Sequence, residues 1–341
     1  MAMSSTSNLP RVPNAAAASS RRWRDLALLG GLGLLVLAGL IGAAAATGWD
    51  ETMTALGRLT WPEVLLLLLL SLTNYGLRGL RWHLFASRLG LPLSIGANLR
   101  HFLGGFAMSV TPGRVGELVR MRWIRRETGW PFDRTAPLAL VDRASDLGAM
   151  ALLLALALSF SATGIAGALP VAGLALIVAW AATRPALLHG FAGLGHRALG
   201  KRLPRLFARV RRAARAMGQF TSPTILMLAS GLGLIGWFAE GWAFYLLLGW
   251  MGAETGLWAA IAIFIFATLA GGLTGAPGGL GGAEAAMVAL LLLDGVPVEI
   301  ALPATLIIRV TTLWFAIGLG LAVFPLAERF SKKTTHDPEN D

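Results

Sequence analysis

Cysteine is absent from the chain, which removes disulfides, thiolate metal sites and cysteine nucleophiles at once. Histidine is scarce. His83, His101, His189, His196 and His336 are scattered, with no HExxH-like spacing, so no metal or other cofactor is expected. No complete Walker motif occurs either, so any work the protein does must be driven by something other than bound ATP. Charge is thin as well: 14% of residues are charged, 55% are hydrophobic, and the mean hydropathy is +0.66. Those values exclude an ordinary soluble domain, and apolar runs of about 20 residues recur along the chain. The composition is that of an all-α polytopic membrane protein.

Acidic residues are the rarer sign, with 18 Asp and Glu against 29 Lys and Arg and a formal charge of +11. The basic residues flank apolar runs and lack the interleaved polar and aromatic side chains that read bases. Anionic membrane lipid, rather than nucleic acid, is the expected partner. Residues 1–25 are Ser-, Ala-, Pro- and Asn-rich and read as a disordered tail. Spans follow at 26–46, 62–82, 136–160, 165–182, 223–250 and 301–325. The stretch after the first one, AAAATG, resembles a signal-peptidase site, but the run is longer than a usual signal core and reads as an uncleaved helix. Arg21, Arg22 and Arg24 precede the first span while Asp50, Glu51 and Arg58 follow it. The positive-inside rule therefore puts the N-terminus and the basic loop 183–222 in the cytoplasm, and an even number of crossings returns the tail 326–341 there; a bacterial inner membrane is the expected location.

Two apolar pieces, about 98–122 and 257–294, are left over, and an internal repeat accounts for them. At an offset of 166 residues, Pro137, Leu140, Arg143 and Leu147 fall on Pro303, Leu306, Arg309 and Leu313, and Asn74 falls on Glu240. The same offset brings TPGRVGE (111–117) to within a residue of APGGLGGAE (276–284). Each half, 26–160 and 165–325, then holds three helices and one Pro-Gly-broken piece. An odd number of crossings turns the second half upside down, which predicts an inverted-topology repeat. Broken backbone at membrane depth must be buried in protein or line a polar cavity. The pieces read as re-entrant hairpins with tips at Pro112, Gly113 and Gly116 in one and Pro277, Gly278, Gly279 and Gly281 in the other. Eight full crossings is the alternative.

A charge at mid-bilayer costs about 2.5–3.5 kcal/mol on insertion scales, so each charge inside a span calls for a partner or a cavity. Glu240 lies mid-span. Arg143 and Arg309 occupy matching depths, with Asp142 and Asp146 beside the first. Asn74, Arg78 and Arg81 form one helical stripe, whose arginines either snorkel to the interface or act inside. Arg143 and Arg309 either pair structurally with Glu117, Glu284 or an aspartate, or bind a phosphate.

NYGLRGLRW (74–82), TPGRVGELVR (111–120), VDRASDL (141–147), GAPGGLGGAE (275–284) and IIRVTTLWF (307–315) together resemble the flippase-like transmembrane region of lysylphosphatidylglycerol synthases and its stand-alone relatives. The resemblance implies a lipid flippase for a phosphate-bearing lipid: a phospholipid, an aminoacyl-phospholipid, or a polyprenyl-linked or hopanoid-type lipid. It implies no enzymatic activity, since no aminoacyl-transfer domain follows the last span. On this reading Arg78, Arg81, Arg114, Arg143 and Arg309 hold the lipid phosphate, while Glu117, Glu240, Glu284, Asp142 and Asp146 balance charge or take up protons. Two other readings compete: a non-transporting partner of a lipid-modifying enzyme, and a membrane glycosyltransferase using Asp50 and Glu51.

Overall fold

The computed structural model describes residues 59–109, 115–161, 168–184 and 216–333, with isolated positions at 54, 57, 186, 187 and 190. The expected span 26–46, the Asp50–Glu51 pair, the tip residues Pro112, Gly113 and Arg114, and most of the basic loop lie outside these residues. Among the described residues the structure is helical with no strand.

Helix α1 (Trp61–Arg88) starts behind Thr60, whose backbone N–H and hydroxyl both donate to Glu63 Oε2, at 2.6 and 2.8 Å, with Pro62 in the first turn. Helix α2 (Ile95–Gly104) continues as a 3-10 turn, Gly105–Met108. After the break come α3 (Val115–Thr128), the long α4 (Phe132–Phe160) and α5 (Ala168–Thr183). The second series is α6 (Pro223–Trp250), α7 (Leu257–Leu273), α8 (Gly282–Leu293), α9 (Val298–Arg309) and α10 (Phe315–Lys333). The span expected at 301–325 is thus longer than the sequence suggested and changes pitch inside. A π-helical turn, Val310–Trp314, joins α9 to α10 immediately after Arg309.

Among the described residues four stretches are long and apolar enough to cross a membrane: Trp61–Arg88, Phe132–Phe160, Pro223–Trp250 and Val298–Lys332. The helices on either side of the two breaks are shorter. At 1.5 Å per residue α7 spans about 25 Å and α8 about 18 Å, both under the ~30 Å of a hydrocarbon core. Helix α5, expected as a crossing at 165–182, has 16 described residues. The order of long helix, broken pair and Pro-containing helix occurs twice. Phe132 and Val298, which start α4 and α9 with Pro137 and Pro303 inside them, are 166 residues apart.

Packing crosses between the two series. Helix α1 lies along α6, α2 lies on α10, and α7 lies on α4. At the central contact Gly236 faces Asn74, where a Cβ would stand at ordinary van der Waals distance, 3.5 Å from the Asn74 Cα. One apolar cluster gathers residues of α1 and of α4 to α9, around Phe244, Ile261 and Phe264. A second gathers residues of α1, α2, α3, α4, α6 and α10 around Trp82, Phe85 and Phe102. Outward faces carry Leu65, Leu69, Ile177, Trp180, Met227 and Ile235, all exposed, as befits surface that meets lipid tails.

The α7–α8 hairpin packs closely, and a Cβ on Gly271 would fall 2.6 Å from the Cβ of Ala283. Gly271→Val should therefore cost about 1–3 kcal/mol by overpacking. Gly173→Val, with open space around it, should leave the melting midpoint of the detergent-solubilised protein nearly unchanged. Equal midpoints for the two variants would contradict this packing.

Candidate functional site

Between the two apolar clusters lies a cavity of about 520 Å3. Both broken segments end on it: Gly116 and Glu117 at the start of α3, and Gly278, Gly279 and Ala283 at the α7–α8 turn. Arg143 and Arg309 reach the same space from α4 and α9, joined by Tyr75 and Arg78 of α1 and Glu240 of α6. The cavity also has a side facing out. Leu174 and Val178 of α5 and Leu273 at the end of α7 line it and are at the same time exposed on the apolar exterior.

Each tip is tied to the following helix by an arginine. In the second, Gly278, Gly279 and Gly281 take φ values of 64°, 69° and 80°, a left-handed region that residues with a Cβ rarely occupy. Arg309 donates from Nε to Glu284 Oε1 at 2.6 Å and from Nη2 to the carbonyl of Gly278 at 2.8 Å. It thereby satisfies a backbone acceptor that the break leaves outside any helix. In the first, Arg143 Nε meets Glu117 Oε1 at 2.5 Å. Gly116 is required beside it, because a Cβ there would run into the carbonyl oxygen of Gly105. Arg143 and Arg309, 166 residues apart, use the same atom on the same kind of partner.

Behind the cavity the polar stripe of α1 turns inward and does not snorkel. Arg81 is fully buried and donates from Nη2 to Asp142 Oδ1 at 2.7 Å and Asp146 Oδ1 at 2.6 Å. Arg78 Nη2 reaches Asp146 Oδ2 at 2.6 Å, and its guanidinium lies 5.0 Å from the Trp237 ring. Arg78 lines the cavity, whereas Arg81 does not. Asp146 is the hub of this network, also accepting from the Trp237 indole at 3.4 Å. Asn74 is buried one turn away with neither side-chain polar atom hydrogen-bonded among the described residues.

Two groups on the cavity carry charge without an opposite charge within 4 Å among the described residues. Glu240 is the first, at 4% exposure. The second is Arg120, which the sequence pattern did not single out. Its guanidinium lies 4.4 Å from the Phe102 ring, 5.3 Å from Trp82 and 5.7 Å from Phe106, and its Nε has no hydrogen-bond partner. The spacing held the clue, since Arg120 is one helical turn beyond Gly116 and shares its face. Glu328 and Glu127 went equally unmarked. Glu328 accepts from Arg122 at 2.8 Å, Arg126 at 2.7 Å and the Trp123 indole at 2.8 Å, fastening α3 to α10. Glu127 does the same for α2 through Arg100 at 2.9 Å and His101 at 3.0 Å.

Residues 28–320 match the family described as the lysylphosphatidylglycerol synthase TM region. The chain belongs to this family. All the site residues above except Glu328 fall inside the matched stretch. Within curated proteins, a UPF0104 membrane protein of Methanothermobacter thermautotrophicus is 36% identical over 110 residues, 32% of each chain. A further match to a UPF0104 membrane protein of that organism is 28% identical over 123 residues, 34% of this chain and 36% of the other. The matched segments thus span about a third of those relatives. Family membership makes the chain a membrane protein of the TM-region type, and the arginine-tied tips are built from the motifs that carried the resemblance.

Removing one partner of a buried ion pair strands the other, at a cost of about 3–5 kcal/mol. The Arg309 side chain is 9% exposed and that of Arg143 34%. Arg309→Ala should therefore lower thermal stability more than Arg143→Ala, and Arg309→Met combined with Glu284→Leu should restore most of the loss. Melting curves of the purified variants check the order; the opposite order would contradict the pairing.

Proposed function

We propose that this protein is a lipid flippase of the inner membrane, passing the phosphate-bearing headgroup of an anionic lipid through the cavity while its tails stay in the bilayer. The observation that carries this reading is the position of the cavity's open side. A polar, arginine-bearing chamber that opens sideways between Leu174, Val178 and Leu273 suits a molecule with a charged head and apolar tails. A substrate drawn from water would need an opening at one end of the bundle instead.

In this mechanism the two tip arginines trade partners. Arg143 and Arg309 each hold a carboxylate through Nε alone, whereas a phosphate can engage the guanidinium fork with two oxygens. Its arrival would loosen Glu117 and Glu284 and free the tips to move. Arg114, beside the first tip, would add a further cation, and Arg78 would steady the headgroup from α1. We further propose that the two series of helices form an inverted repeat about an axis through the α1–α6 contact, with the broken pairs as re-entrant hairpins entering from opposite faces. Reciprocal packing of α2 on α10 and α7 on α4 supports that arrangement. Rocking about α1 and α6 would then expose the cavity to one leaflet after the other.

The test uses purified protein in phosphatidylglycerol-containing vesicles with a fluorescent phosphatidylglycerol, its outer-leaflet fraction followed by a membrane-impermeant quencher. Wild-type protein should move the probe between leaflets well above protein-free vesicles. Arg143→Lys with Arg309→Lys keeps both charges but loses the fork, and should slow the rate by about tenfold or more while the protein stays folded. Wild-type vesicles no faster than protein-free ones would favour a non-transporting partner of a lipid-modifying enzyme. A folded double variant at full rate would remove the arginines from the mechanism.

A further inference from the structure

The ion pairs around the cavity leave a remainder. Arg78 and Arg81 are matched by Asp146 and Asp142, Arg143 by Glu117, and Arg309 by Glu284. Among the described residues Arg120 and Glu240 then remain, both buried and both facing the cavity. Arg120 is held by aromatic rings, which attract its charge but accept none of its N–H donors in plane. Glu240 is in a different position, because its charge can be removed by a proton without breaking an existing contact.

We infer that Glu240 couples the binding of an anionic headgroup to the uptake of one proton, and that Arg120 is the uncommitted cation which that headgroup meets. This rests on the cavity being the site of a phosphate-bearing lipid.

Charge balance carries the coupling. With Glu240 ionised, the described cavity residues and their partners cancel charge for charge, and Arg114, outside the described residues, could only add to the positive side. With Glu240 protonated they carry one net positive charge. A phosphodiester headgroup brings one negative charge, and in a poorly hydrated chamber an unbalanced charge is expensive. The chamber therefore accepts the anion most readily together with a proton. The groups acting on Glu240 are Tyr75 and Arg78 from α1, Asp146 from α4 and Arg309 from α9. Helix α7 presents only Thr268 and apolar residues to the cavity. None of the four is free to neutralise Glu240. Arg78 and Asp146 hold each other, Arg309 holds Glu284, and the Tyr75 hydroxyl donates to the carbonyl of Thr312 at 2.5 Å. Bound anion and bound proton thus favour one another, and by linkage each must strengthen the other equally. A proton gradient across the membrane could then drive the lipid.

The test is equilibrium binding of dioctanoyl phosphatidylglycerol to the full chain in non-ionic detergent, measured from about pH 5 to about pH 9. Across the window where Glu240 titrates, affinity should fall by about tenfold per pH unit. Glu240→Gln should bind with no such slope, and Arg120→Gln should weaken binding at every pH while keeping the slope. A second readout needs no variant: in weakly buffered solution, binding within that window should take up a proton fraction approaching about one per lipid. Binding of dioctanoyl phosphatidylcholine, whose head has no net charge, should take up none. Wild-type protein that binds phosphatidylglycerol with a flat pH profile and no proton uptake overturns the coupling and leaves the lipid site standing. Protein that binds neither lipid at any pH overturns the lipid site itself, and the coupling with it.

Discussion

A guanidinium held away from water is costly unless a counter-charge comes with it, and apart from Arg120, which sits among aromatic rings, that requirement organises the interior of this protein. Arg81 could not sit fully buried on α1 unless α4 presented Asp142 and Asp146 one turn apart. Their spacing fixes how α1 and α4 meet, and Arg78 and Trp237 then lock onto the same Asp146. The same rule works at the broken segments. Arg309 pairs with a carbonyl at the α7–α8 turn while neutralising Glu284, so one side chain serves both the broken backbone and a carboxylate of α8.

Because the pairs run between helices, they also decide what can move. The α1–α4–α6 network is dense and buried, and it behaves as a fixed frame. The tips are held by fewer contacts, Arg143 on Glu117 at the first and Arg309 on Glu284 and the Gly278 carbonyl at the second, over glycines that fit only at close quarters. Glu328 attaches α3 to α10, joining the first series to the last helix of the second.

Much of this was legible in the sequence, for reasons that can be stated residue by residue. Apolar runs at 62–82, 136–160 and 223–250 became α1, α4 and α6 because length and hydropathy alone decide such helices. The breaks near Gly116 and Gly278 were readable because clustered Pro and Gly inside an apolar run interrupt a helix wherever they fall. Pairing of Arg143 with Glu117 and of Arg309 with Glu284 was among the alternatives, since few other acids lie at those depths. What sequence could not provide was contact between distant helices. Arg120 looked like one more residue in a motif until three aromatic rings from α1 and the α2 segment enclosed it. Glu328 looked like a tail residue until Arg122, Trp123 and Arg126 converged on it. The pitch change at Val310–Trp314 leaves no mark in hydropathy at all.

If the chamber between the two tips holds the head of an anionic lipid, the tails must leave past Leu174 and Leu273. An experimental structure in nanodiscs rich in phosphatidylglycerol tests this most directly. Phosphate density is expected within hydrogen-bonding reach of Arg120 and the tip arginines, continuous with a tail emerging between α5 and the end of α7. A chamber filled only with water and sealed from the bilayer on that side would contradict the lipid site.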